Sequence, residues 1–218
     1  MKRQIRCLRY LAQAFGACVL LLVLSGWTFP AAPSAANMAF VRLVHASPDV
    51  GVVAVFMDGK PMVNGNQVVN SFQFATVTEY VPLPEGSHTV QIAALGKGVN
   101  AAMLAQTITV QPGVAYTVAV IGTKATGISF KIFTDDNAVA GNMAKLRVYH
   151  LSPGTDPVDI TMGTQAVIQG LAYPQVSNYV SLPAGQDTFD LTNTPQNANA
   201  TFSVMLNPWT VTSVFAIG

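Results

Sequence analysis

Beyond its first 36 residues, the chain alternates apolar and polar residues over short stretches, which is the period of a half-buried β-strand. Val53, Val55 and Met57 take alternate positions, and the tight-turn dipeptide Asp58-Gly59 follows them. Similar stretches are Val90 and Ile92; Tyr116, Val118 and Val120; and Ile128, Phe130 and Ile132. Many short strands separated by turn residues predict an all-β sandwich.

The strand pattern occurs twice. Three segments recur in the same order, with 42–48 matching 147–153, 77–86 matching 176–185, and 110–112 matching 206–208. The offset between the copies falls from 105 to 99 to 96, so the second copy has shorter loops. We therefore predict two tandem modules, at 37–137 and 144–218, with a linker at 138–143 that overlaps the polar stretch 135–142.

The first 36 residues differ from the rest of the chain. Basic residues at 2, 3, 6 and 9 precede an apolar run at 11–24, and small residues and prolines follow at 30–36. This order predicts a signal helix at 1–36, cleaved after Ala36. The alternative is a retained membrane anchor, because the apolar run extends to Phe29 and approaches membrane-spanning length.

Composition narrows the classes of function. Half of the 218 residues are hydrophobic and 10% are charged, and both cysteines, Cys7 and Cys18, precede residue 37. Beyond residue 36, seven Lys and Arg face ten Asp and Glu, a net charge of −3. This balance predicts no nucleic-acid partner, and membrane contact only through an uncleaved N-terminal segment. We expect an exported protein, extracellular or in the cell envelope.

A His-x-Ser-Pro motif recurs in both copies. His45 and Ser47 lie two residues apart, as do His150 and Ser152, so each pair shares one face of a strand. A hydrolase could use such a pair, but Asp49, the nearest orienting group, is replaced by Gly154 in the second copy. We expect instead that each imidazole ends an apolar face and bonds the backbone of the Ser-Pro turn. A binding role would make this segment one lip of a groove.

Phe56 is a separate candidate for ligand contact, because its counterpart is Thr161 and alternation turns both away from the core. Beside Ala54 it predicts a small exposed apolar patch. The candidate contact residues are thus His45, Ser47, Asp49, Phe56, His150 and Ser152. No phosphate loop, nucleophile elbow or close metal-ligand spacing is present, and Asp135, Asp136 and Asn137 are expected to form a solvated turn. We therefore predict no catalytic residue, cofactor or metal.

The motifs together resemble a known family. They are Val-Arg-Leu-Val-His-Ala-Ser-Pro-Asp at 41–49, the strand ending in Asp58-Gly59-Lys60, and the Leu-Pro-x-Gly turn at 83–86. This set resembles the bacterial secreted family catalogued as domain of unknown function 4397, often a tandem pair behind a signal peptide. The resemblance implies exported β-sandwiches of the immunoglobulin or transthyretin type and brings no established activity.

The second copy ends at Gly218, the counterpart of Gly122, whereas the first copy continues into a strand containing Phe130. We therefore expect the second module to lack a last strand with three inward apolar residues, worth roughly 5–9 kcal/mol of burial. Two explanations stay open: a truncated product, which we favour, or a strand supplied by another chain.

These observations favour a non-catalytic secreted or cell-surface protein that binds a cell-wall polymer, a carbohydrate or a protein. The alternative is a structural envelope protein that assembles through the open edge of its second module. A hydrolase using the His-x-Ser segment ranks last.

Overall fold

The computed structural model describes residues 8–10, 20–25, 37–65, 67–139, 141–193 and 198–218. These residues form strands and one 3-10 turn, Val99–Ala101. No helix among them is long and apolar enough to cross a membrane. The predicted cleavage site at Ala36 lies outside the described residues.

The strands in chain order are β1 Leu8–Tyr10, β2 Leu20–Ser25, β3 Met38–His45, β4 Val53–Met57, β5 Lys60–Pro61, β6 Val63–Asn64, β7 Gln67–Val68, β8 Val81–Pro84, β9 Gly86–Ala94, β10 Ala102–Val110, β11 Ala115–Thr123, β12 Gly127–Asp135, β13 Met143–His150, β14 Val158–Met162, β15 Gln165–Leu171, β16 Gln175–Val176, β17 Val180–Pro183, β18 Gly185–Asn193, β19 Ala198–Leu206 and β20 Val211–Ile217.

The first module contains β3 to β12. One sheet has the order β12-β11-β3-β8 and the other β10-β9-β4-β5, with β6 and β7 forming a hairpin. Strands β3 and β11 are parallel, and the other pairs are antiparallel. The two sheets enclose one apolar core, so the module is a β-sandwich, as predicted.

The second module contains β13 to β20 together with β1 and β2. Its sheets are β1-β2-β20-β13-β16, with β17 also on β13, and β15-β14-β18-β19. Strand β13 is parallel to β20, as β3 is to β11 in the first module. The duplication seen in the sequence is therefore a duplication of the sandwich.

The predicted alternation is confirmed in both cores. Val53 and Val55 are fully buried in the first core, and their counterparts Val158 and Ile160 are fully buried in the second. The turn Asp58-Gly59 joins β4 to β5 as predicted, with φ of 53° and 75° at its two residues. Both values are positive, which matches the type I′ turn that suits a two-residue hairpin.

Two predictions about the chain's N-terminal segment and last strand differ from the structure. The described parts of the predicted signal helix, Leu8–Tyr10 and Leu20–Ser25, are extended strands. The edge of β20, which we expected to be open, carries β2 over six antiparallel pairs. The helix prediction is therefore wrong for these residues. The physical reason is that pairing as a strand gives hydrogen-bond partners both to the backbone of the apolar segment and to the backbone groups at the edge of β20.

Asp135 is not a solvated linker residue. It ends β12, and its carboxylate accepts hydrogen bonds from the hydroxyls of Thr117 and of Tyr80, the latter at 2.7 Å. The guanidinium of Arg42 lies 3.7 Å from the same carboxylate, donates to Thr117 at 2.7 Å, and stacks over the Tyr80 ring at 4.7 Å. Arg42, Thr117 and Asp135 lie in three neighbouring strands of one sheet, so a buried polar cluster ties β12 to β11 and β3.

Replacing Asp135 by Leu should destabilise the protein by about 3–5 kcal/mol, because Arg42 would keep its charge in a buried site without its carboxylate. Urea unfolding followed by circular dichroism would measure the loss. The double variant Arg42→Met with Asp135→Leu removes both charges and is the matched control. It should recover most of that stability, and equal losses in the single and double variants would contradict the account.

Candidate functional site

The two His-x-Ser segments occupy the same place in their modules, at the end of the first strand. His45 ends β3 and His150 ends β13, and the two side chains are 0% and 1% exposed. Ser47 and Ser152 are equally buried. In this structure, neither pair is accessible to a substrate from solution.

His45 is bonded to the loop that follows it. Its Nε2 lies 2.9 Å from the carbonyl oxygen of Gly51, so Nε2 carries the proton and donates. The other ring nitrogen is buried without a hydrogen-bond partner, and the ring packs against Phe72 at 5.6 Å and Phe74 at 6.4 Å. Burial lowers the pKa of His45, and the bond to Gly51 only partly opposes that effect. The imidazole is therefore neutral at pH 7 and tied to the backbone, as the sequence indicated.

His150 repeats this arrangement. Its Nε2 lies 3.2 Å from the carbonyl oxygen of Asp156 and 3.2 Å from the hydroxyl of Thr155. Its other nitrogen is again buried without a hydrogen-bond partner, beside the ring of Tyr173. Burial also lowers the pKa of His150, with the bond to Asp156 opposing it.

Neither serine is bonded to its histidine. The Ser47 hydroxyl donates to the carbonyl oxygen of Gly122 at 2.7 Å, and Ser152 donates to Gly218 at 3.3 Å. Gly122 and Gly218 occupy equivalent positions near the ends of β11 and β20, so both hydroxyls make the same structural hydrogen bond. A nucleophile needs its proton directed at a base, and these protons are directed at backbone carbonyls. The arrangement therefore fixes a loop to a strand end.

Asp49 holds a turn. Its two carboxylate oxygens accept from the amide of Lys124 at 3.1 and 2.9 Å, in the turn between β11 and β12. The second module has Gly154 at this position, with φ of 76°. Asp49 is exposed, and ligand contact by its side chain stays a prediction.

Phe56 is on the outer side of its sheet, as the alternation indicated, but it is not exposed. It is 8% exposed and forms a small cluster with Ala54 and Ala93, against which Val99 of the 3-10 turn packs. The predicted apolar surface patch is therefore wrong, because the connection between β9 and β10 folds over it.

The first module also has a small cavity of about 170 Å³ at one end of its core. Its lining is apolar: Val41, Met57, Pro61, Met62, Val63, Val81 and Leu83. Ligand pockets for drug-sized molecules measure about 300–1,000 Å³ and carry a few orienting polar groups. This cavity has room for a small apolar group and offers no hydrogen-bonding side chain.

A polar pair that no sequence motif indicated lies at the turn between β4 and β5. His88 Nδ1 is 2.6 Å from the carboxylate of Asp58, and its Nε2 is 2.8 Å from the carbonyl oxygen of Pro84. Both neighbours are acceptors, so the ring is best satisfied when both nitrogens are protonated. Partial burial opposes this charge, but the bonds to Asp58 and Pro84 outweigh it and the pKa of His88 is raised.

Asp58 completes this pair from the other side. Its second carboxylate oxygen accepts from the amide of Thr89 at 2.7 Å. The bond to His88 lowers the pKa of Asp58, against a smaller opposing effect of burial. The second module has Gly163 and Asp187 at the two positions, so the pair belongs to the first module. The described residues contain no group of three or more potential metal ligands.

The three histidines should not affect stability in acid in the same direction: His45 and His150 should lower it, and His88 should raise it. A lowered pKa in the folded state makes His45 and His150 bind fewer protons than the unfolded chain. Each of these two histidines then lowers the free energy of unfolding by up to about 1.4 kcal/mol per pH unit as the pH falls below about 6.5. His88, with its raised pKa, contributes stability that is fully present below about 6.5 and is lost as pH rises through its folded-state value.

We therefore expect the urea midpoint to fall less between pH 7 and pH 5 in a His150→Leu variant than in the unaltered chain. A His88→Gln variant should show a steeper fall, because the compensating gain is removed. Because each variant is compared with the unaltered chain, the pH dependence that comes from the carboxyl groups they share cancels. A steeper fall in His150→Leu would contradict the assignment of a neutral, buried imidazole.

Comparisons with known proteins agree with the repeated architecture. The family described as Domain of unknown function (DUF4397) matches residues 39–154 and 144–218. No curated protein matches the chain. A solved structure described as alpha-glucan recognition by family 41 carbohydrate-binding modules from streptococcal virulence factors aligns with 82% of this chain and 97% of its own. Its identity is 10% and its TM-score 0.26, too low to establish a shared fold. The two family matches together cover most of the chain, which therefore belongs to the DUF4397 family.

Proposed function

We propose that this protein is a non-catalytic binding protein that acts outside the cytoplasm and contacts a cell-wall polymer, a carbohydrate or a protein through its second module. The recurrent histidines and serines support this proposal because their hydrogen bonds are all structural. The observation that carries it is the position of Trp209, in the turn between β19 and β20.

Within the described part of residues 37–218, Trp209 is the only aromatic residue whose side chain is exposed. It is 55% exposed, whereas the other aromatic rings described there are buried or half-buried. Indole combines a large apolar face with one polar N–H, which is why tryptophan is enriched among residues that dominate binding energy. An indole exposed on a turn can stack on a sugar ring or insert into a pocket of a protein partner.

The backbone at Trp209 shows that this side chain is placed there at a cost. Its φ is 64°, and the residue at the same place in the first module is Gly113, with φ of 75°. Both amides make the same bond: Trp209 donates to the carbonyl oxygen of Met143 at 3.0 Å, and Gly113 donates to Met38 at 2.8 Å. The turn therefore favours glycine, and the strain at Trp209 supports a functional reason for the indole.

Export is supported by the order of residues in the N-terminal segment and by the position of the cysteines. Basic, apolar and small residues follow one another over positions 1–36, and the chain beyond them contains no cysteine. A protease-protection assay on intact cells that express the full chain would test the proposed location.

Trp209→Gly should separate binding from stability. Glycine adopts a positive φ without strain, so the variant should be more stable by about 1 kcal/mol. Binding should fall at least tenfold, because a side chain at the centre of an interface contributes about 2 kcal/mol or more. The measurements are urea unfolding and co-sedimentation of the full chain with insoluble polysaccharides and purified cell wall.

Met205→Thr is the matched control for this variant. Met205 is 52% exposed in the same module and lies in β19, where threonine is tolerated. Its loss should leave binding unchanged. If the Trp209→Gly variant binds each polymer as tightly as the unaltered chain does, Trp209 is not part of the contact surface.

A further inference from the structure

We infer that β10 is an association edge, at which two copies of this chain pair antiparallel with Thr107 of one copy opposite Thr107 of the other. The inference goes beyond the proposed binding function, since it concerns a sheet edge of the first module and not the turn at Trp209. It rests on the direction of the backbone groups of β10, on its lack of charge, and on the contrast with the other edges of the same module.

Strand β10 ends its sheet. It has nine residues and, within the described part of the chain, pairs with β9 alone. Its one irregularity lies between Ala102 and Leu104, at the start of the strand. Three alternate residues beyond that point have exposed side chains and are called the outer residues of β10 below: Ala105, Thr107 and Thr109. A strand in this position presents backbone N–H and C=O groups that can pair with a strand of another chain.

The hydrogen bonds of β9 show that the outer residues also direct their backbone groups away from the sheet. The amide of Asp58 donates to the carbonyl oxygen of Thr89 at 2.9 Å, so Thr89 and the other odd-numbered residues of β9 bond on the β4 side. The even-numbered residues of β9 therefore face β10, and their partners there are the even-numbered residues from 104 to 110. The odd-numbered outer residues of β10 thus point their N–H and C=O groups outward.

This edge carries no charge. The nearest charged residues in the sequence are Lys97 and Lys124, and every residue from 98 to 123 is uncharged. The residues of β9 opposite the outer residues are also uncharged: Gln91, Thr89 and Ser87. Natural sheets protect exposed edges with charged side chains or prolines, and β10 contains neither.

The strands at the other ends of the two sheets of the first module do carry such protection. Strand β12 has the exposed Lys131 at its centre. Strand β5 is two residues long and consists of Lys60 and Pro61. Strand β8 contains Pro82 and Pro84. Among these edges, β10 is the one at which the sequence does not oppose pairing with another chain.

The equivalent strand of the second module, β19, has a charge beside it. Ser203 lies opposite Thr188, as Thr107 lies opposite Thr89 in the first module. Two residues further along, Thr201 lies opposite Asp190 and donates to its carboxylate at 2.6 Å. The first module has the neutral Gln91 at the position of Asp190. A carboxylate next to the edge favours contact with water over cover by another strand, so we assign the association to β10.

A second copy of β10 fits this edge with two-fold symmetry. When Thr107 lies opposite Thr107 of the second copy, Ala105 lies opposite Thr109, and every outer residue has a hydrogen-bonding partner. Each such pair exchanges two N–H···O bonds, so the register forms about six. Two threonines then meet on the exposed face, which is a favourable cross-strand pair, and the half-buried Leu104 lies opposite Val110 on the core side. A two-fold contact closes after two copies, so the expected assembly is a dimer.

Thr107→Lys tests the edge in the full chain. In the two-fold register this substitution places two ammonium groups opposite each other, which opposes pairing. We expect the unaltered chain to form a concentration-dependent dimer in sedimentation velocity, with a dissociation constant at least about tenfold higher in the variant. Ser129→Lys is the matched control, because Ser129 is an exposed residue of the edge strand β12 and receives the same charge. It should dimerise as the unaltered chain does.

An unaltered chain that stays monomeric at all concentrations would overturn the inference, as would equal dissociation constants for the three chains. Association that is lost in Ser203→Lys and kept in Thr107→Lys would assign the contact to β19 and also overturn it. Hydrogen exchange on the unaltered chain keeps the inference testable if a lysine variant fails to fold. The amides of the outer residues should exchange about tenfold more slowly when the dimer prevails than when the monomer does, and an unchanged rate would contradict the pairing.

Thr107→Cys, in a chain with Cys7 and Cys18 replaced by serine, tests the register. A hydrogen-bonded antiparallel pair has a Cα separation of about 5.5 Å, which suits a disulfide. Oxidation should therefore link two copies through position 107. Ser129→Cys in the same background is the control and should give a much lower yield of linked chains. Equal yields would contradict the register, and none of these results bears on binding through Trp209.

Discussion

The parallel pairing between the first strand of each module and a strand near its end is the constraint on which the rest of the structure depends. Parallel neighbours cannot be joined by a tight turn, so a long stretch of chain, including the strands of the second sheet, lies between them in the sequence. In the first module the ends of β3 and β11 are held together by Ser47, which bonds to Gly122, and by the amide of Ala46, which bonds to Val120. The second module repeats the serine bond with Ser152.

This constraint explains why the His-x-Ser-Pro motif recurs with each histidine and each serine bonded to a backbone carbonyl oxygen. His45 bonds the loop that leaves the strand, and Ser47 bonds the strand that returns beside it. The two side chains thus satisfy backbone groups that no sheet partner reaches at this corner. Burial of polar groups is tolerated when they are hydrogen-bonded, and here it fixes the loop at the cost of one unpartnered imidazole nitrogen.

The two modules differ most where their edge strands differ. Asp49 accepts from Lys124 in the turn before β12, Asp135 lies in β12 and pairs with Arg42, and the second module has Gly154 in place of Asp49. Its corresponding edge strand, β2, comes from the other end of the chain and is entirely apolar from Leu20 to Leu24. Likewise Trp209 replaces Gly113 in a turn whose backbone bond is unchanged. The duplicated framework is thus kept, and the edge and one turn carry the differences.

The sequence by itself determined the duplication, the sandwich and the inward positions of residues such as Val55 and Ile160, because period-two alternation records which side of a strand is apolar. It also placed the two histidines at the ends of their cores. Only the tertiary structure decided that Phe56 is covered, that Asp135 pairs with Arg42, and that β2 closes β20. Alternation assigns a residue to a face but does not say what packs on that face. Contacts between distant segments leave no local pattern, so the sequence could not reveal them.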